Sequence, residues 1–228
     1  MFRRSKPYWL SVAAVAVILL ALAAPATTLV SRADGNPNPG IVPNNAKYRT
    51  LSAQWWQWAL AAPPAVNPVI DPTGAHCAQG QGDFSNHNVW FLAGTFGGPA
   101  TRSCTIPPGK SLFFPILNSA WACELPPAFC EGVEVLRANA AADMNNPTLL
   151  EASIDGVPVQ ALESYRATSP VFSIELLFGA AGPFEPAVAD GYWLLVTPRT
   201  PGSHTIHFKG IRHDGFETEV TYNLTVGH

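Results

Sequence analysis

Ser111-Leu112-Phe113-Phe114-Pro115-Ile116-Leu117-Asn118 is the stretch that decides the fold. In an extended chain successive side chains point to opposite faces, so Leu112, Phe114 and Ile116 share one side and Phe113 and Leu117 the other. A strand apolar on both faces is buried on both. Something must therefore cover the outside of its sheet, and the cover predicted is a helix upstream.

Working outward, Asn88–Phe96, Val171–Leu177, Gly191–Thr197, His204–Lys209 and Glu217–Val226 carry β-branched and aromatic residues between Gly and Pro punctuation. The last of these alternates Val220, Tyr222, Leu224 and Val226 with Glu219, Thr221, Asn223 and Thr225, so one of its faces meets water. Weaker strands are predicted at Leu150–Asp155 and Val157–Leu162, joined by a turn at Asp155-Gly156. Helical spacing predicts one helix over Leu51–Ala62, capped by Thr50 or Ser52 and stopped by Pro63-Pro64. A second runs from Gly132 to Met144, with Val133, Leu136 and Ala140 on its stripe. Trp55 and Trp58 should pin the first helix to a sheet, leaving Trp56 as the exposed one and a candidate for ligand stacking. The fold class is mainly β, an immunoglobulin-like or jelly-roll β-sandwich with two short helices.

The amino terminus gives the compartment. Arg3, Arg4 and Lys6 precede an uncharged run from Trp9 to Ala24, followed by small residues at Ala24, Ala26, Ser31 and Ala33. Residues 1–33 read as a signal peptide, with retention as an anchor the alternative. Residues 34–46, rich in Pro, Asn and Gly, read as a flexible tether, and 47–228 as a single β-sandwich domain. The leader holds four of the thirteen basic residues and none of the sixteen acids, leaving nine bases against sixteen acids, a net −7 with His neutral. That balance excludes a nucleic-acid or anionic-membrane footprint, so membrane contact is expected only through an uncleaved leader. A secreted, periplasmic or cell-envelope location is oxidising, and an even set of cysteines there forms disulfides. Cys77–Cys104 and Cys123–Cys130 are the favoured pairs, the second closing a short loop.

Five segments, Leu51–Ala59 (LSAQWWQWA), Val89–Gly94, Leu112–Asn118 (LFFPILN), Ser164-Tyr165-Arg166 with Ser169-Pro170, and Ala189–Trp193 (ADGYW), resemble a family of exported bacterial proteins without an assigned activity. The resemblance spans nearly all of the chain beyond the leader. It implies export and a single domain, and no mechanism.

Several chemistries can be set aside. Gly109-Lys110-Ser111 mimics the end of a phosphate loop, but Cys104 stands where the first glycine is required and a strand follows. Neither G-x-S-x-G nor H-E-x-x-H occurs. His204 and His207, three apart in a strand, project from opposite faces and cannot share a metal. No cofactor and no metal is called for. What remains is Asn118-Ser119-Ala120-Trp121-Ala122-Cys123-Glu124, read as a disulfide-stapled loop at the end of the sheet. It offers an amide, an indole and a carboxylate, which suits a glycan or another flat, partly apolar ligand. Trp56, His87, Arg166 and Tyr192 join Asn118, Trp121 and Glu124 as binding candidates, with Arg166 equally a partner for Asp190. An alternative is a glycoside hydrolase using Glu124, Glu131 or Asp190 as acid and base. A third is a structural or adhesion-type envelope protein.

Overall fold

The computed structural model describes residues 38, 40–84, 88–124, 130, 132–197 and 199–227, and of Glu124 and Ala181 the backbone alone. In order these form α1 (Ala46–Ala61), β1 (Val89–Phe91), β2 (Gly98–Ile106), β3 (Ser111–Glu124), α2 (Val133–Met144), β4 (Leu149–Ile154) and β5 (Val157–Pro158). Then come β6 (Arg166–Thr168), β7 (Phe172–Leu177), β8 (Ala180–Val196), β9 (Gly202–Ile211) and β10 (Glu217–Val226). The leader assigned to 1–33, His87 and Glu131 lie outside the described residues.

The doubly apolar stretch is the first half of β3, and Leu112, Phe113, Phe114, Ile116 and Leu117 are all buried. β3 lies in a first sheet of order β1-β3-β8-β6, with β7 also paired to β8. The second sheet runs β2-β10-β9-β4-β5. Each contains one parallel pair, β1 with β3 and β2 with β10. The sheets stack as a β-sandwich. Phe114 of one lies on Phe208 of the other with ring centroids 5.0 Å apart, among buried Ile206, Val220, Tyr222 and Leu224. Gly210 permits their closest approach, since a Cβ there would stand 2.7 Å from both the Ile116 carbonyl and Leu117 Cβ. Within β3 the register slips between Pro115 and Leu117, a bulge where Pro has no N–H for the ladder.

The expected helical cover is α1, on the outer face of the first sheet. Tyr48, Leu51, Trp55, Trp58 and Ala59 recur at helical spacing and are buried. Trp55 packs edge-on to Trp193 at 5.5 Å, and Trp58 lies 5.5 Å from Phe91. Each indole N–H is satisfied, Trp55 Nε1 on the Leu92 carbonyl and Trp58 Nε1 on that of Gln79. Truncating such a residue in a filled core costs about 3–5 kcal/mol, against a typical total stability of about 5–15. α1 is therefore part of the fold, not an appendage. Its start departs from expectation: the helix begins at Ala46, and Asn45 caps it by accepting from Lys47 N, where Thr50 or Ser52 was expected to cap. α2 covers the far ends of β3 and β8, placing Leu136 and Ala140 against Cys123 and Val188.

The exposed rims of the sheets are covered by polar side chains. The Gln81 amide accepts from Phe91 N at 2.9 Å and donates to Phe91 O at 2.8 Å, standing in for a strand beside β1. Asn38 does the same for Gln160, at 2.6 and 2.8 Å. Gln57 donates to Ser173 O on β7, and Asn44 to Arg166 O on β6. Open edges are templates for pairing with another chain, and these amides occupy them. Two of them, Asn38 and Asn44, lie in the stretch expected to be a flexible tether. With Ile41 buried and bridged to Val196, that stretch is instead fastened to the body from Asn38 onward.

Candidate functional site

Asn118–Glu124, expected as a loop, is strand: β8 pairs with β3 as far as Glu124 opposite Phe184. A strand splits the candidate set, because neighbours face opposite ways. Ser119, Trp121 and Cys123 face α2, whose Leu136 and Ala140 pack on Cys123. Asn118 points toward α1. Both its Cβ and Trp193 Nε1 lie 2.8 Å from where a Cβ on Gly191 would be, and its buried amide nitrogen has no partner among the described residues. Trp56 is also on the α1 side, half-buried and edge-on to Trp55 at 5.3 Å. Trp121 therefore stands apart from both.

The indole of Trp121 is 40% exposed, and its orientation is fixed. Nε1 donates to Asp143 Oδ2 at 2.9 Å, and Ser119 Oγ donates to the same oxygen at 2.5 Å. The other carboxylate oxygen of Asp143 lies 3.5 Å from Arg212 Nη1. Arg212 is itself held by Asp214 and lies over the Phe216 ring at 5.1 Å. Hydrogen bonding to Asp214 raises the Arg212 pKa, burial opposes that, and the charge of Asp143 adds to it. The result is an exposed aromatic plate on a rigid strand, with its N–H turned inward to a braced carboxylate.

Arg166, Asp190 and Tyr192 form the neighbouring rows of the same face. Asp190 is opposite Ser119, and Tyr192 opposite Leu117. Arg166 makes a two-pronged pair with buried Asp190, Nε and Nη2 each 3.0 Å from a carboxylate oxygen. It also donates to Asn145 Oδ1 and to the Ala141 carbonyl in the last turn of α2. Cations are favoured at that end of a helix. Hydrogen bonding to Asp190 raises the Arg166 pKa, and burial raises that of Tyr192, whose hydroxyl donates to Met144 O. These three residues dock α2. Asp190, buried and paired on both oxygens, is not placed to exchange protons as a general acid or base. Of the other carboxylates, Glu131 lies outside the described residues, and only the backbone of Glu124 is described.

Both disulfides form in the favoured pairing, Cys77–Cys104 and Cys123–Cys130. His204 and His207 do face opposite ways, one bonded to Asp155 and the other to Glu219. Among the described residues no group of three or more His, Cys, Asp or Glu side chains is arranged to hold a metal ion. Asp143 is the residue sequence reasoning missed. Its signal was an acid in the last turn of a helix, where the macrodipole disfavours it. A search of family models, of curated proteins and of solved structures finds no match to this chain.

Proposed function

We propose that this protein is an exported, disulfide-bonded β-sandwich that holds a glycan, or a similarly flat and partly apolar extracellular ligand, against Trp121. The observation that carries this reading is the exposed indole whose ring is held in place by Asp143. An aromatic face offers apolar contact to the C–H side of a sugar, and a fixed ring loses little entropy when it is covered. The two disulfides fit an oxidising compartment, as do the charged, apolar leader and the resemblance to exported bacterial proteins. No helix among the described residues is long and apolar enough to cross a membrane.

Affinity electrophoresis through gels containing soluble polysaccharides, preceded by a glycan-array screen, tests this. Trp121→Ala should lose retention while the thermal midpoint stays within a few degrees. Equal mobility of the two proteins in every retarding gel would remove the reading, and a large stability loss would mark the indole as part of the core.

A further inference from the structure

Away from Trp121, the rim of the second sheet beside β4 carries a groove of about 310 Å³. It exists because β5 is two residues long. After Val159 N bonds to Ala152 O, the chain turns away at Ala161, with φ +54°, into a 3-10 turn over Leu162–Tyr165. Leu150, Ala152, Val159 and Leu162 line its core-facing side, and Glu151, Ser153 and His207, from the other face of the sheet, form its polar side.

Ser153 and His207 are direct cross-strand partners in the β4–β9 ladder. Side chains so placed have Cβ atoms about 4.5–5.5 Å apart on one face. His207 Nε2 lies 3.1 Å from Glu219 Oε1, and the other oxygen of Glu219 is held by Lys209 Nζ at 3.0 Å. With Nε2–H donating to the carboxylate, the imidazole lone pair is on Nδ1. The Ser153 hydroxyl makes no hydrogen bond among the described residues. A hydroxyl, an imidazole and a carboxylate thus follow one another across β4, β9 and β10, at the mouth of an apolar groove.

We propose that this groove hydrolyses esters of short acyl chains, with Ser153 as nucleophile, His207 as general base and Glu219 as the positioning residue that sets the imidazole tautomer. The core-facing side takes the acyl chain, and the groove's volume, near the low end of the range for small-molecule pockets, limits that chain to a few carbons. Ser153 Oγ attacks the carbonyl carbon while its proton passes to His207 Nδ1. The bond to the alcohol oxygen breaks, and the alcohol leaves with that proton. Water then attacks the acyl-serine, its proton returns through His207 to Ser153 Oγ, and the carboxylic acid departs. Thr221 is also opposite His207, on the far side from the groove, and supplies an internal control.

The test uses the oxidised protein with p-nitrophenyl acetate, butyrate and octanoate, and with a fluorophosphonate probe whose adduct is mapped by mass spectrometry. The expected adduct is on Ser153, with butyrate turned over faster than octanoate. Ser153→Ala should abolish labelling and lower turnover by about a hundredfold or more. Thr221→Val should leave both unchanged. Glu219→Gln should lower kcat more than about tenfold with KM unaltered and with the thermal midpoint and the fraction of folded protein unchanged, which separates a positioning role from a loss of folding. Hydrolysis no faster than with free imidazole, an adduct on any residue other than Ser153, or wild-type turnover in Ser153→Ala overturns the proposal.

Discussion

Trp121 Nε1 and Asp143 Oδ2, 2.9 Å apart, join the exposed end of β3 to the last turn of α2. The same oxygen receives Ser119 Oγ, so residues two apart on one strand face converge on one carboxylate. The arrangement works against the helix macrodipole, which disfavours an acid at that end by about 0.3–1 kcal/mol. Hydrogen bonds to a charged group contribute about 1.5–3 kcal/mol each, so the bonds win.

Asp143→Ala should therefore lower stability by about 1–3 kcal/mol, because it strands the buried Ser119 hydroxyl and the Trp121 indole N–H. Chemical denaturation measures the loss, and the polarity around Trp121 should change in fluorescence difference spectra between the two proteins. Removing the acid and finding a more stable helix would mean that the dipole dominates and the indole is not fixed.

Gln81→Ala takes away both bonds to Phe91 and a third, from Gln81 Nε2 to the Cys77 carbonyl. A loss of about 1–3 kcal/mol is expected, together with concentration-dependent self-association through the uncovered β1 edge. Light scattering across a concentration series reads the second effect. Gln81→Glu should be intermediate, since a carboxylate accepts from Phe91 N but donates to neither carbonyl.

These covering residues also explain what could and could not be read from the sequence. Where burial is apolar and periodic, reading succeeded: the double burial of Ser111–Asn118, the Asp155-Gly156 turn, α2 and the β9–β10 hairpin are all in place, although the bulge between Pro115 and Leu117 moves Leu117 from the expected face of Phe113 to that of Phe114, against Gly210. Where polar atoms do the fastening, it failed. β2 shows no apolar alternation because one of its inward positions is Arg102. The buried guanidinium there donates to the carbonyls of Val69, Asp71, Ala93 and Gly94 and to Tyr222 Oη. Residues 38 and 40–45 resemble a spacer because, Ile41 and Val42 apart, their anchors are asparagine side chains. The far half of β3 reads as a loop because Asn118-Ser119 interrupts the pattern, although pairing with β8 continues. The Trp121 platform was found by its residue types, but its brace was not, since Asp143 is 22 residues away in the chain.

Asp71 gives the last prediction, on acid stability. It organises the segment that carries Cys77, accepting from Thr73 N, Thr73 Oγ1 and His76 N, while its own carbonyl accepts from Arg102 Nε. Burial pushes its pKa up, but the bonds from His76 and Thr73 outweigh that and bring it down to about 2. An unfolded aspartate titrates near about 3.9. A folded value below the unfolded one means that the contribution is complete above about pH 4 and is lost as the pH falls toward 2. Asp71→Asn should thus lower the thermal midpoint at neutral pH and flatten its decline between about pH 4 and pH 2. Differential scanning calorimetry at half-unit pH steps compares the two slopes. Parallel curves for both proteins would show that other carboxylates, such as Asp155 and Asp214, whose hydrogen-bond partners also lower their pKa values, govern the acid limb instead.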